Sequence, residues 1–207
     1  MAFIFSIMGS PRRKGSSERL LHIFMESIEE KSIIQRRVYI SDLNISGCMG
    51  CRFCEKNGFC RIRDDMDSIY PLLREADLIV ISTPIFFYSF PSQLKALIDR
   101  TQSLWARRYC IRLSDPKQKI RHGFILAVGA TKGKNLFSGI ELTAKYFFDA
   151  VGGKLDGCLG IRNVEKPDDL DAFPEFVEEL KRKAKDYQEM FKKKKKILFL
   201  CRENACR

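Results

Sequence analysis

The sequence predicts an α/β fold: a doubly wound, five-stranded parallel sheet with helices on both faces. Two observations predict it. Apolar strand-like runs alternate along the chain with segments of helical periodicity, the pattern of repeated β-α-β units. The central run Asp77–Ser82 (DLIVIS) is unbroken rather than alternating, as in a strand buried on both faces of a parallel sheet. Of the 207 residues, 45% are hydrophobic and 30% charged, which supports one sizeable core and excludes disorder as the main state. No internal repeat is visible, and no apolar run approaches the roughly 18 residues of a membrane span.

Each element has its own signal. Ala2–Met8 (AFIFSIM) is the first strand. A helix is expected from about Ser17 to Lys31, with Leu20, Leu21, Phe24, Met25 and Ile28 on one face. Arg37–Ile40 reads as a short second strand, and a helix follows near Met66. After Asp77–Ser82, Pro91–Trp105 reads as one helix with Leu94, Leu97, Ile98 and Leu104 inward. His122–Val128 is the fourth strand, Phe137–Val151 the next helix, stopped by Gly152-Gly153, and Asp156–Ile161 a weaker fifth strand. Leu170–Met190 is a long charged helix with Phe173, Phe176, Val177, Leu180 and Ala184 facing in. Residues 1–190 therefore form one domain, and 191–207 a basic linker and a short segment. Five such strands suggest the flavodoxin-like order 2-1-3-4-5, with a ligand beyond the carboxyl ends at the switch between strands one and three.

The two loops at that switch are 9–17 and 82–91. The first reads Gly9-Ser10-Pro11-Arg12-Arg13-Lys14-Gly15-Ser16-Ser17. Glycines, hydroxyls and a helix N-terminus suit a phosphate, and Arg12 adds a charged donor. The spacing matches neither the nucleotide-triphosphate loop nor GxGxxG, and a plain turn capped by Ser16 or Ser17 is the competing reading. The second loop, Ser82-Thr83-Pro84-Ile85-Phe86-Phe87-Tyr88-Ser89-Phe90-Pro91, puts four aromatics within five residues outside any strand. Core packing accounts for them, and so does a planar ring system held between apolar faces and backbone polar groups. GSPRRKGSS followed by STPIFFYSFPSQLKALIDRT resembles the flavodoxin-like NAD(P)H-dependent FMN reductase superfamily over about residues 2–190. The resemblance implies that Ser10, Arg12, Gly15, Ser16 and Ser17 form the FMN phosphate site. It implies that Thr83, Pro84, Ile85, Phe86 and Phe87 contact the isoalloxazine, with Gly129, Ala130, Thr131 and Gly133 along its other edge. Arg13-Lys14 makes the phosphate loop more basic than that site needs, and Phe87 stands where the family often has Trp.

A loop of about 25 residues after strand two is long for an α/β unit. It contains Cys48, Cys51, Cys54 and Cys60 in the pattern C-x2-C-x2-C-x5-C. The tight triplet with a late fourth thiolate can converge on one face of a cuboidal 4Fe–4S cluster, as ferredoxin-like ligation does, and an unmetallated loop is a competing reading. Zinc more often joins two separated knuckles, and a redox-active thiol pair remains a further reading. A compact four-cysteine motif in this fold resembles the iron-sulfur flavoproteins. That resemblance implies a 4Fe–4S cluster on Cys48, Cys51, Cys54 and Cys60, FMN as second cofactor, and electrons drawn from a ferredoxin-like donor. It also implies a homo-oligomer, a dimer or tetramer. The motif departs from ferredoxins in having Arg61, not Pro, after the last cysteine. Arg52, Lys56, Arg61 and Arg63 are candidates to raise the cluster potential and attract an acidic carrier.

The leading expectation is thus an iron-sulfur flavoprotein passing electrons from a ferredoxin-like or NAD(P)H donor to a small-molecule acceptor. An NAD(P)H-dependent FMN or quinone reductase without a cluster is one alternative, and a redox- or metal-sensing binding protein another. In the order 2-1-3-4-5 the cysteine loop leaves an edge strand, so its cluster is expected to lie some two strands from the flavin. Pairing of subunits would close that gap and cover Phe86–Phe90. The net charge is +11, five of it in Lys192–Lys196, and suits an anionic ligand or protein; we expect no nucleic-acid and no membrane partner. The amino-terminal order, apolar before basic, reverses a secretory signal, and the eight cysteines fit metal or redox work, so a cytoplasmic location is expected. Finally, Ile197–Arg207 carries C-x5-R, from Cys201 to Arg207, which resembles the opening of low-molecular-weight phosphatases and arsenate reductases. It is expected to be a truncated fusion without that activity. His22, His122, Trp105, Cys110 and Cys158 are given no role.

Overall fold

A computed structural model of the chain describes residues 2–113, 115 and 120–193. The segment carrying Cys201 and Arg207 lies outside the described residues. Five parallel strands form one sheet in the order β2-β1-β3-β4-β5. They are β1 (Ala2–Met8), β2 (Ile33–Tyr39), β3 (Leu78–Pro84), β4 (Arg121–Val128) and β5 (Gly153–Ile161). The helices are α1 (Ser16–Glu26), α2 (Phe53–Asn57), α3 (Met66–Glu75), α4 (Ser92–Arg100), α5 (Gln102–Tyr109), α6 (Ser138–Ala150) and α7 (Pro174–Lys192). Among the described residues no helix is long and apolar enough to cross a membrane.

The pleat divides the core in two. Ile4, Leu78, Val80, Phe124 and Leu126 face α1 and α7, whereas Phe5, Ile7, Ile79, Ile81 and Ile125 face α3 to α6. This is the two-sided burial that the unbroken run in β3 predicts.

Several boundaries differ from the sequence reading: β5 starts at Gly153 rather than Asp156, α5 runs on to Tyr109 rather than Trp105, and four others have a local reason. Helix α1 stops at Glu26 rather than Lys31, because Ser27 turns its hydroxyl back onto the Ile23 carbonyl at 2.7 Å. Strand β2 starts at Ile33, four residues earlier than its apolar signal. It is an edge strand, and its exposed Ile34, Gln35 and Arg36 hide the period. The single helix expected over Pro91–Trp105 is two, α4 and α5, divided at Thr101, whose hydroxyl donates to the Ile98 carbonyl at 2.6 Å. The last helix begins at Pro174, not Leu170; Pro167–Ala172 is a separate 3₁₀ turn, and proline suits the first position of the helix that follows.

The long loop after β2 leaves the sheet and returns through a tied neck. Leu43 and Ile45 pack against the α3–α6 side of the core, anchoring its first residues. Asn44 N–H donates to the Asp65 carboxylate at 2.7 Å, and Ser46 N–H donates to the Asp64 carboxylate at 2.9 Å. Asp64 also accepts from Met66 N–H at 3.1 Å. Arg100, at the end of α4 and 1% exposed, completes the neck. Its guanidinium donates to both Asp64 oxygens, at 2.6 and 3.1 Å, and to the carbonyls of Ser46 and Ile62 at 2.9 and 3.2 Å.

Burial works to raise the Asp64 carboxyl, but the Arg100 guanidinium and the N–H groups of Ser46 and Met66 outweigh it and hold the group below its ordinary value. A carboxyl depressed in the folded state stabilises the fold above the unfolded value of about 3.9, and that contribution is lost as acid titrates it. Asp64→Ala is expected to cost about 3–5 kcal/mol in urea unfolding, since it strands a buried cation. The wild-type protein should lose stability as the pH falls below about 4, and the variant should show a shallower slope there. An unchanged urea midpoint in Asp64→Ala would show that the neck is not a pin.

Candidate functional site

The three loops after β1, β3 and β4 meet at the carboxyl edge of the sheet. Gly9 N–H donates to the Ser82 carbonyl at 2.7 Å, joining the first loop to β3. A Cβ at Gly9 would lie 2.5 Å from Leu94 Cδ2 and 3.1 Å from the Ser82 carbonyl oxygen, so the close approach requires glycine. Ser10 is buried, and its hydroxyl accepts from Arg12 N–H at 3.1 Å. Ser16 and Ser17 are the first residues of α1 and are buried; they do not cap it. The cap position is Gly15, in extended conformation with no side-chain cap and open space beside it. The leading N–H groups of Ser16 and Ser17 thus have no side-chain cap, and the helix dipole adds positive potential there.

The surplus of basic residues in this loop resolves into two roles. Arg13 is paired with Asp42 and lies over the Tyr39 ring at 3.5 Å, so it braces the loop against β2 and the turn after it. Arg12 is exposed and makes no ion pair among the described residues. Lys14 has a left-handed backbone, and its N–H is held by the Glu18 carboxylate, which also accepts from the Tyr39 hydroxyl at 2.9 Å.

The second loop is a tight hairpin. Phe86 and Ser89 exchange both backbone hydrogen bonds, at 3.0 and 2.9 Å, with Phe87 and Tyr88 between them. Both central residues have positive φ, 48° and 61°, in a turn that normally takes Asn or Gly. Each such residue costs on the order of 1 kcal/mol, and the conformation persists because Tyr88 is held. Tyr88 packs against Gly133 and Gly139; at Gly139 a Cβ would stand 2.2 Å from the Tyr88 carbonyl oxygen. Phe86 and Tyr88 are largely exposed and Phe87 is fully so, while Phe90 is buried. Thr83 is buried at the end of β3, Pro84 is that strand's last residue, and Ile85 N–H donates to the Val128 carbonyl at 2.9 Å. On the β4 side Gly129 is buried and bonded to Ile161 and Val164, while Ala130 and Thr131 are exposed. The structure therefore gathers the candidate residues of all three loops at one rim.

The four clustered cysteines line one cavity of about 380 Å³. Its remaining wall includes Asp99, Arg100, Gln102 and Ser103 from the junction of α4 and α5. Gly50, Arg52 and Gly58 have positive φ and fold the loop around it. The six described cysteines are all free thiols. Burial, then the neighbouring Cys60, Cys48 and Cys51, push the Cys54 thiol above its ordinary value. Among the described residues no three His, Cys, Asp or Glu side chains converge tightly enough to hold a single ion. Of the four basic candidates, Arg52 is paired with Glu55 at 3.1 Å and Arg63 with Asp67 at 3.3 Å. Lys56 and Arg61 make no ion pair among the described residues, so they carry the loop's uncompensated charge.

As expected, the cysteine loop starts from the edge strand β2, two strands from β3; its residues pack against the junction of α4 and α5, the helices that follow β3. Of the residues that hold it there, Asp64 carried no sequence signal and Arg100 a single one: it lies three residues after Leu97, on the buried stripe of α4. His122 does have partners. Its Nδ1 lies 2.8 Å from the Asp156 carboxylate, which accepts from the Tyr187 hydroxyl at 2.9 Å. This cluster is at the opposite, amino end of the sheet. Burial pushes the Cys158 thiol up to about 12, which leaves it inert.

Known proteins are similar to this chain in sequence and in fold. An iron-sulfur flavoprotein of Methanosarcina thermophila is 34% identical over 62% of this chain and 64% of its own length. The chain thus spans less than two thirds of that relative. Another iron-sulfur flavoprotein, from Methanocaldococcus jannaschii, is 31% identical over 70% of each chain. The crystal structure of an FMN-dependent NADH-azoreductase from Bacillus anthracis in complex with FMN superposes with a TM-score of 0.65 at 14% identity, covering 90% of this chain and 99% of that one, and so shares the fold. The model of the NADPH-dependent FMN reductase family matches residues 3–137, which takes in β1 to β4, all three rim loops and the cysteine loop between them. The chain belongs to the NADPH-dependent FMN reductase family.

Proposed function

We propose that this flavin-dependent oxidoreductase holds FMN at the carboxyl rim and a 4Fe–4S cluster in the four-cysteine cavity, and passes electrons between them. The observation that carries the reading is the cavity itself: four thiols line a single hollow whose other wall continues from the flavin loop. Its donor chemistry fits a polynuclear centre: four cysteine sulfurs in a tight triplet with a late fourth suit a cuboidal cluster, which takes each thiolate on a different iron. The rim fits FMN. The uncapped start of α1, the buried Ser10, Ser16 and Ser17, and Arg12, which has no ion pair among the described residues, suit one phosphate. Thr83, Pro84, Ile85, Phe86 and Phe87 offer backbone polar groups and apolar surface for a ring system, with Gly129, Ala130, Thr131 and Gly133 at its far edge.

When bound, FMN exchanges one or two electrons and the cluster one. The chain's own residues bind, orient and shield. Arg13 and Glu18 stiffen the phosphate loop, Tyr88 fixes the hairpin against the β4 loop, and the neck keeps the cysteines beside α4 and α5. Lys56 and Arg61 leave a positive surface for an acidic, ferredoxin-like donor, and NAD(P)H is the donor that the family description points to. The acceptor is a small molecule. The exposed Phe86, Phe87 and Tyr88 favour a homo-oligomer in which a second copy covers them.

Changing Arg12 and Ser16 together to Ala should weaken FMN binding roughly ten- to a hundredfold, the worth of about 1.5–3 kcal/mol in charge-assisted hydrogen bonds. Equilibrium dialysis with fluorescence detection measures it, and unchanged retention would remove this loop from the site. Cys54→Ala should lose iron and acid-labile sulfide while keeping FMN at wild-type stoichiometry. The visible spectrum then retains flavin bands and loses the broad absorption near 400 nm, a region typical of iron–thiolate chromophores. A wild-type protein that binds FMN but no iron would support the cluster-free reductase instead.

A further inference from the structure

We infer that Arg100 is a resident hydrogen-bond donor to the cluster and sets its reduction potential upward. The inference rests on the cluster reading above. Arg100 is 1% exposed and forms part of the wall of the four-cysteine cavity. A guanidinium has five N–H donors. Four are spread over Nη1 and Nη2, which serve Asp64 and the carbonyls of Ser46 and Ile62. The fifth, on Nε, has no partner, and it is one of two such buried side-chain nitrogens among the described residues.

A buried N–H without an acceptor costs roughly 1–3 kcal/mol, more on a charged group, and proteins rarely tolerate it unless something completes it. None of the groups around it takes up this N–H. The two carboxylates in the cavity wall are engaged elsewhere, Glu55 with Arg52 and Asp99 with Lys95 at 2.6 Å. The strongest acceptors the same wall can offer are the cysteine sulfurs and whatever they hold. An iron-bound thiolate or sulfide is an anionic acceptor, which is what Nε lacks. Hydrogen bonds to cluster sulfur stabilise the reduced, more negative state over the oxidised one and so raise the potential. The solvent-exposed Arg52 and Arg63 have their charge screened and paired, so the buried donor carries more weight than they do. Arg100 is therefore a positioning residue for the loop and a tuning residue for the cluster.

The test uses the holoprotein with both cofactors and titrates the cluster potential by electron paramagnetic resonance. Arg100→Lys keeps a cation able to face Asp64 but removes Nε, and its potential should shift negative at unchanged iron and sulfide content. Asp64→Asn loosens the neck as well, yet it leaves Nε in place and removes a negative charge, so its potential should not fall. If both variants shift negative alike, loop geometry is the cause and the inference is overturned. A second measurement needs no change at position 100. In an Arg52→Lys, Arg61→Lys background, Arg100 is the arginine left in the cavity wall. Isotope labelling of arginine Nε should then give a nitrogen hyperfine coupling to the reduced cluster. An intact cluster without that coupling overturns the inference alone. Purified protein that takes up neither iron nor sulfide overturns the cluster reading, and this inference with it.

Discussion

The site depends on one buried ion pair, Arg100 with Asp64. The cysteine loop has little apolar weight of its own: Cys48, Met49 and Phe59 are exposed, and α2 buries no residue. Beyond the anchor of Leu43 and Ile45, hydrophobic burial does little to fix the conformation of the cysteine-bearing part. What fixes it is the neck, where the Asp64 carboxylate gathers N–H groups from Ser46 and Met66 and both ends of the Arg100 guanidinium. A buried pair of this kind adds little net stability over an apolar substitute, because desolvating both charges offsets most of the attraction. Its value is geometric. Few alternative packings satisfy so many polar groups at once, so a long loop with no core is left with one arrangement.

Strain at the other loop is held by the same logic of over-determination. Phe87 and Tyr88 occupy a left-handed turn that their side chains disfavour. The hairpin bonds of Phe86 with Ser89 and the packing of Tyr88 on Gly133 and Gly139 outweigh that cost. The result is a fully exposed Phe87 presented at the rim. A folding requirement alone would have put Asn-Gly at the turn and the phenylalanine inside.

The sheet order and the strands were legible because parallel strands write themselves as dense apolar runs. β1 reads to its ends, and β3 and β4 to within a residue or two. β2 was less legible because an edge strand needs only one buried flank, and Ile33 alone marks its start. The break between α4 and α5 was hidden because Leu94, Leu97, Ile98 and Leu104 remain in phase across it; only the hydroxyl of Thr101 betrays it. The cysteines announced themselves by spacing, and the rim loops by composition. The residues that position them did not, since Asp64 and Arg100 are 36 residues apart and ordinary in type. An arginine on a buried stripe was the available sign.

The path between the two candidate sites is shorter along the chain than the topology suggests. β3 ends at Pro84 in the aromatic hairpin, continues into α4, and reaches Arg100, Gln102 and Ser103, which wall the cysteine cavity. One stretch of about twenty residues thus touches the proposed flavin ring at one end and the proposed cluster at the other. The cysteine loop crosses from β2 to meet it. A second subunit is favoured by exposed surface as well: Phe86, Phe87 and Tyr88 lie exposed where the phosphate loop and the β4 loop converge, and a contiguous apolar patch of that kind marks a contact site.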